Sequence, residues 1–126
     1  VSTDDRPPEY DAEIEVCGEI FYFARTLGLG KRLEQRFGPL TTMMRRFETY
    51  DVTQDTIAAF VGEILRGGDF VPDAARIRTW VFEEGTPKLC TPLARICGDF
   101  FIGNRLLREH EAQRLTAAEG TAKNPR

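Results

Sequence analysis

The chain has 126 residues, 41% hydrophobic and 29% charged, a scale that suits one soluble-type domain with a modest core. A formal net charge of -3 gives no overall field for nucleic acid. No run approaches the roughly 20 apolar residues that span a bilayer, so neither nucleic acid nor membrane is an expected partner.

The leading stretch VSTDDRPPEYD is acidic and proline-containing and lacks the apolar core of a signal peptide, so a cytoplasmic location is expected. Residues 1–11 and 115–126 are polar with Pro and Gly and are expected to be flexible tails around one domain over 12–114. Within AEIEVCGEIFYFAR, Ile14 and Val16 alternate with Glu13 and Glu15, the period of a half-buried strand. Gly18 and Glu19 form a candidate two-residue turn with glycine first, as a type II′ hairpin requires. Pairing Cys17 with Ile20 then places Val16 opposite Phe21 and Ile14 opposite Phe23. Those four side chains share one face, and Glu13, Glu15, Ile20 and Tyr22 share the other. A lone hairpin is marginal in water, so helices must cover its apolar face.

Helical periodicity follows. Thr26 is a candidate N-cap for a helix carrying Leu29, Leu33 and Phe37, with Gly38 as its stop. Pro39 suits the first turn of a second helix, with Leu40, Met43, Met44 and Phe47 on one stripe. Thr53 caps a third, with Ile57, Phe60, Val61, Ile64 and Leu65, ended by Gly67 and Gly68. Asp73 caps a fourth, carrying Ala74, Ile77, Trp80 and Val81 and closed by Gly85 and Pro87. A last helix is predicted from Thr91-Pro92, presenting Leu93, Ile96, Cys97, Phe100, Phe101 and Leu107. The predicted fold is α+β and mostly α: an N-terminal β-hairpin followed by about five short helices in one compact domain.

The stretch RTLGLGKRLEQRFG invites a phosphate-loop reading through Gly28, Gly30 and Lys31. A Walker A loop needs an earlier glycine where Arg25 stands and a Ser or Thr where Arg32 stands. The dinucleotide fingerprint fails at Leu33, which replaces its third glycine. Nucleotide binding is therefore not expected. Gly28 and Gly30 each cost a helix about 1 kcal/mol relative to Ala, which points to close backbone packing or an irregular first turn.

Cys17, Cys90 and Cys97 form no C-x-x-C pair, and His110 is the one histidine, so a metal site and a disulfide framework are both unexpected. The thiols read as free and partly buried. The carboxylates show no paired setting for acid–base work, and His110 lies among Arg105, Arg108, Glu109, Glu111 and Arg114, the pattern of a solvated helix face. No catalytic residue and no cofactor is assigned, and enzymatic activity is not expected. Candidate partner-contacting residues are Ile20 and Tyr22 on the outer hairpin face, Met43 and Met44, Trp80, and Phe101. Homo-oligomerisation is compatible with the same amphipathic stripes.

Several of these positions, in this order, resemble the small tail-assembly proteins of bacterial gene transfer agents and related siphophages. The matching residues are Gly18 at the turn, Leu27 and Gly28 after the second strand, and Leu33, Glu34 and Gly38 in the first helix. Asp51, Val52 and Thr53 then match at the next cap, and Leu65, Gly67 and Gly68 at its end. The later VFEEGTPKLCTPLARICGDFF is similar to the family's closing helices, so the resemblance covers about residues 12 to 103. The turn is Gly18-Glu19 rather than the Gly-Gly or Gly-Lys type of the family, and Trp80, Cys90, Cys97 and everything from Arg105 onward depart from its pattern. The resemblance implies a tail-morphogenesis role: a chaperone that binds the tape measure protein and helps recruit tail tube proteins. A tail tube component retained in the particle is the alternative. A small cytoplasmic regulatory or ligand-binding domain is the reading from another class.

Overall fold

A computed structural model describes residues 10–66, 68 and 72–103. A two-stranded antiparallel hairpin, β1 (Ala12–Val16) and β2 (Glu19–Phe23), precedes five helices: α1 (Leu27–Phe37), α2 (Leu40–Glu48), α3 (Gln54–Leu65), α4 (Ala74–Glu84) and α5 (Thr86–Ile102). This is the predicted α+β, mostly α architecture. The expectations for Gly67, Arg105, Leu107, Arg108, His110, Arg114 and the 114/115 boundary lie outside the described residues.

The hairpin buries the predicted face, with Ile14, Val16, Phe21 and Phe23 all in the core. Its turn differs from the prediction. Cys17 and Gly18 occupy the corner with φ of 51° and 79°, the double left-handed pattern of a type I′ turn. Ile14 therefore pairs with Phe21 and Val16 with Glu19. Each residue's partner moves by two positions from the predicted one, and a shift of two preserves which side chains share a face. Cys17 tolerates its left-handed backbone while its thiol donates to the Trp80 carbonyl at 3.4 Å, tying the turn to α4. Asp11, placed by the sequence in the leading tail, accepts the Arg25 N–H at 2.8 Å and so belongs to the domain's fastening.

The predicted caps form. Thr26 Oγ1 accepts the Leu29 N–H at 3.0 Å, Thr53 Oγ1 the Thr56 N–H at 3.1 Å, and Asp73 Oδ1 the Arg76 N–H at 2.8 Å. Gly38 ends α1 with φ 89°, and Pro39 stands one residue before α2 rather than inside it. α3 is the central element, apolar over most of its circumference, packed against α1, α4, α5 and β2. Phe60 on α3 meets Phe37 of α1 and Phe47 of α2, each with ring centroids 5.0 Å apart.

α5 departs most from expectation. Helix begins at Thr86, directly after Gly85, and runs through Pro92. An interior proline costs about 3 kcal/mol. Starting early puts Leu89 and Cys90 on the same buried stripe as Leu93, Ile96 and Cys97. Burying a large apolar side chain contributes about 2 kcal/mol, so burial offsets the proline and the helix runs unbroken from Thr86.

Candidate docking surfaces at the end of the last helix

Arg25, at the junction of β2 and α1, is only 7% exposed. Its guanidinium donates to the Asp11 carbonyl at 3.2 Å and lies 3.6 Å from the carboxylates of both Asp11 and Asp99. It thereby fastens the segment before β1 to the last turns of α5. Beside it, Gly28 and Gly30 lie inside α1, so no glycine loop precedes that helix. A Cβ on Gly30 would stand 3.3 Å from the Phe100 ring, so the glycine marks the close approach of α1 and α5.

That approach leaves large apolar groups outside. Leu27 is 77% exposed, Phe101 69% and Ile102 47%. Leu27 and Phe101 line a cleft of about 400 Å³ between α1, α2 and α5, with Lys31 and Glu34 on its edge. Ile102 lines a second cleft of about 510 Å³ between α2 and α5, with Met44, Tyr50 and Gly98. Both clefts flank the C-terminal end of α5 and bring Leu27, Phe101 and Ile102 to open surface beside a cavity.

The sequence-predicted contact residues are dispersed. Phe101 and Met44 reach these two clefts. Met43 is 1% exposed and lies in the core, because it continues the stripe of Leu40 and Phe47; of the methionine pair, only Met44 reaches the surface. Trp80 packs partly buried against Phe21, with ring centroids 5.4 Å apart, while the Arg76 guanidinium lies over its ring at 4.9 Å. Ile20 and Tyr22 are half-buried on the outer hairpin face. Sequence reasoning missed Ile102, Tyr50 and Phe82. Phe82 was legible, since it sits one residue past Val81 and hence off the buried Ile77–Val81 stripe.

A different arrangement lies on the α1–α3 side. Glu63 is 5% exposed, yet it faces three guanidinium groups: Arg66 at 2.9 Å, Arg36 at 3.1 Å and Arg32 at 3.3 Å. Burial alone pushes its carboxyl up, but the hydrogen bonds and charges of Arg66, Arg32 and Arg36 outweigh it and hold the group below its ordinary 4.5. Glu63 thus stays ionised and clamps α1 to α3.

The three thiols are all free. Burial pushes Cys97 up to about 12 and raises Cys90, and burial with the nearby Glu84 raises Cys17, so none is an activated nucleophile. Among the described residues, no group of three or more His, Cys, Asp or Glu is placed to hold a metal ion, and no helix is long and apolar enough to cross a membrane. In comparisons with known proteins, no family model, no curated protein and no solved structure matches the chain.

Proposed function

We propose that the protein assists assembly of a phage-like tail of the gene transfer agent type. It acts in the cytoplasm as a chaperone that covers apolar helical segments of the tape measure protein and brings tail tube subunits to it. The exposed Leu27, Phe101 and Ile102 around the end of α5 carry this reading, because large side chains beside open clefts suit an apolar helical client. The ordered motifs over residues 12 to 103 supply the family context.

Co-expression with the tape measure protein of the same genome tests the proposal. More of the client in the soluble fraction, and co-purification of the two, is the expected result. An unchanged soluble fraction contradicts it. Mass spectrometry of purified particles separates a chaperone from a retained component: a chaperone is lost from finished particles, whereas a tube component is present at tube-like copy number.

A further inference from the structure

We propose that the cleft between α3 and α4 is a second docking site, shaped for an acidic, apolar-faced segment of a partner protein. The cleft holds about 600 Å³ and shares no lining residue with the two clefts at the end of α5. Its floor is small and apolar, with Ala58, Ala59 and Gly62 from α3 facing Ala74 and Ile77 from α4. Its rim is cationic, with Arg36, Arg66 and Arg78 lining it and Arg32 joined to the same Glu63.

Charge complementarity selects the occupant. Three guanidinium groups line this cleft against two carboxylates, Glu63 and Asp55, and Arg32 bonds Glu63 as well, on a chain whose net charge is -3. Glu63 is buried and already engaged, so it does not repel an incoming anion at the rim as an exposed carboxylate would. Arg36 and Arg66 keep 54% and 60% of their side chains exposed while bonded to it, leaving guanidinium N–H groups turned to solvent. Arg78 is exposed and makes no ion pair among the described residues. Carboxylates meet such forks with good geometry. A polyanion such as nucleic acid fits less well, because the cationic surface is short, its floor is apolar, and the rest of the chain is acidic.

Gly62 fits this use. Its φ is not left-handed, and a Cβ there would find only Ile77 Cδ1 at 3.6 Å, an ordinary contact. Packing does not demand glycine, and helix propensity favours alanine. The missing methyl leaves the floor open for an apolar side chain of the occupant.

The site does not rest on the tail assignment. The test uses fluorescence anisotropy with a labelled helical peptide carrying leucines on one face and glutamates on its flanks, against a copy with lysine for every glutamate. The full chain should bind the glutamate peptide, lose affinity with added salt, and ignore the lysine peptide. Arg78→Glu should weaken binding by about tenfold, as reversal of a rim charge does. Gly62→Ala should weaken it while leaving the thermal midpoint unchanged or raised. No preference between the two peptides overturns the proposal in the unmodified protein, whatever the variants do. Equal affinity in a folded Arg78→Glu variant overturns it too, as does tighter binding of a single-stranded oligonucleotide than of the glutamate peptide.

Discussion

The ring of Phe100 lies where a side chain on Gly30 would have to go, 3.3 Å from the position of its Cβ. This contact explains a glycine that otherwise looks like a fragment of a phosphate loop. Gly30→Leu should lower stability by about 2 kcal/mol, since the added atoms must displace Phe100 from the core's edge. Lys31→Ala, at an exposed position, should change stability by less than about 0.5 kcal/mol. Adding ATP or GTP should move the melting temperature of neither the wild type nor Lys31→Ala. A nucleotide-induced shift lost in Lys31→Ala would restore the phosphate-loop reading.

Two other glycines should respond to alanine in opposite directions. Gly68 bridges to Phe23 beside β2, and a Cβ on it would lie 2.5 Å from the Tyr22 carbonyl oxygen, a backbone atom that cannot step aside. Gly68→Ala should destabilise by about 2 kcal/mol or more. Gly62→Ala meets no such barrier and should stabilise by up to about 1 kcal/mol. Chemical denaturation of both variants checks the contrast in sign.

Glu63 makes stability depend on pH in a defined direction. Its carboxyl is held below its ordinary 4.5 in the folded chain, so its contribution is complete above that value. The contribution is lost as pH falls through the depressed folded value, where the carboxylate takes up a proton. Glu63→Gln should cost about 2 kcal/mol at neutral pH, less than a fully buried pair, because the arginines can regain water. The gap between wild type and Glu63→Gln should then narrow as the pH is taken below 4.5, as urea titrations across that range would show.

The thiols should be slow. Cys90 and Cys97 are buried, and all three sulfhydryl groups are held towards the protonated form. At pH 8 a thiol-disulfide reagent should modify the native chain far more slowly than a free thiol, with Cys17 reacting first as the partly exposed one. All three should react promptly in denaturant. Fast labelling of Cys97 in the native chain would contradict the packing of α5.

What was legible in the sequence was local. Thr26, Thr53 and Asp73 cap helices through side chains that reach only three residues ahead, so their chemistry is written in adjacent positions. The hairpin's buried face was legible because it depends on parity alone. Its turn was not, because a glycine at Gly18 serves as the first residue of one turn type or the second of another. The start of α5 was misplaced since proline's local effect was weighed without the burial of Leu89 and Cys90 that overrides it. Met43 continues the stripe of Leu40 and Phe47 into the interior, where an unbranched thioether fills the core. The Glu63 cluster was beyond reach: Arg32 and Arg36 stand 31 and 27 residues from it, and only packing of α1 on α3 brings them together. The exposed Ile102 and Tyr50 gave no signal either, because each sits at a helix end where periodicity fades.

The most direct test of the docking account replaces the exposed apolar groups at the end of α5 with charge. Leu27→Glu and Phe101→Glu alter side chains that are 77% and 69% exposed, so the double variant should fold with an unchanged melting temperature. Both proteins are then co-expressed with the tape measure protein and the complex is captured on a tag carried by this chain. The account predicts that wild type carries the client into solution and that the double variant, though folded, carries little of it. Equal recovery of the client by the folded double variant, or none by wild type, would contradict it.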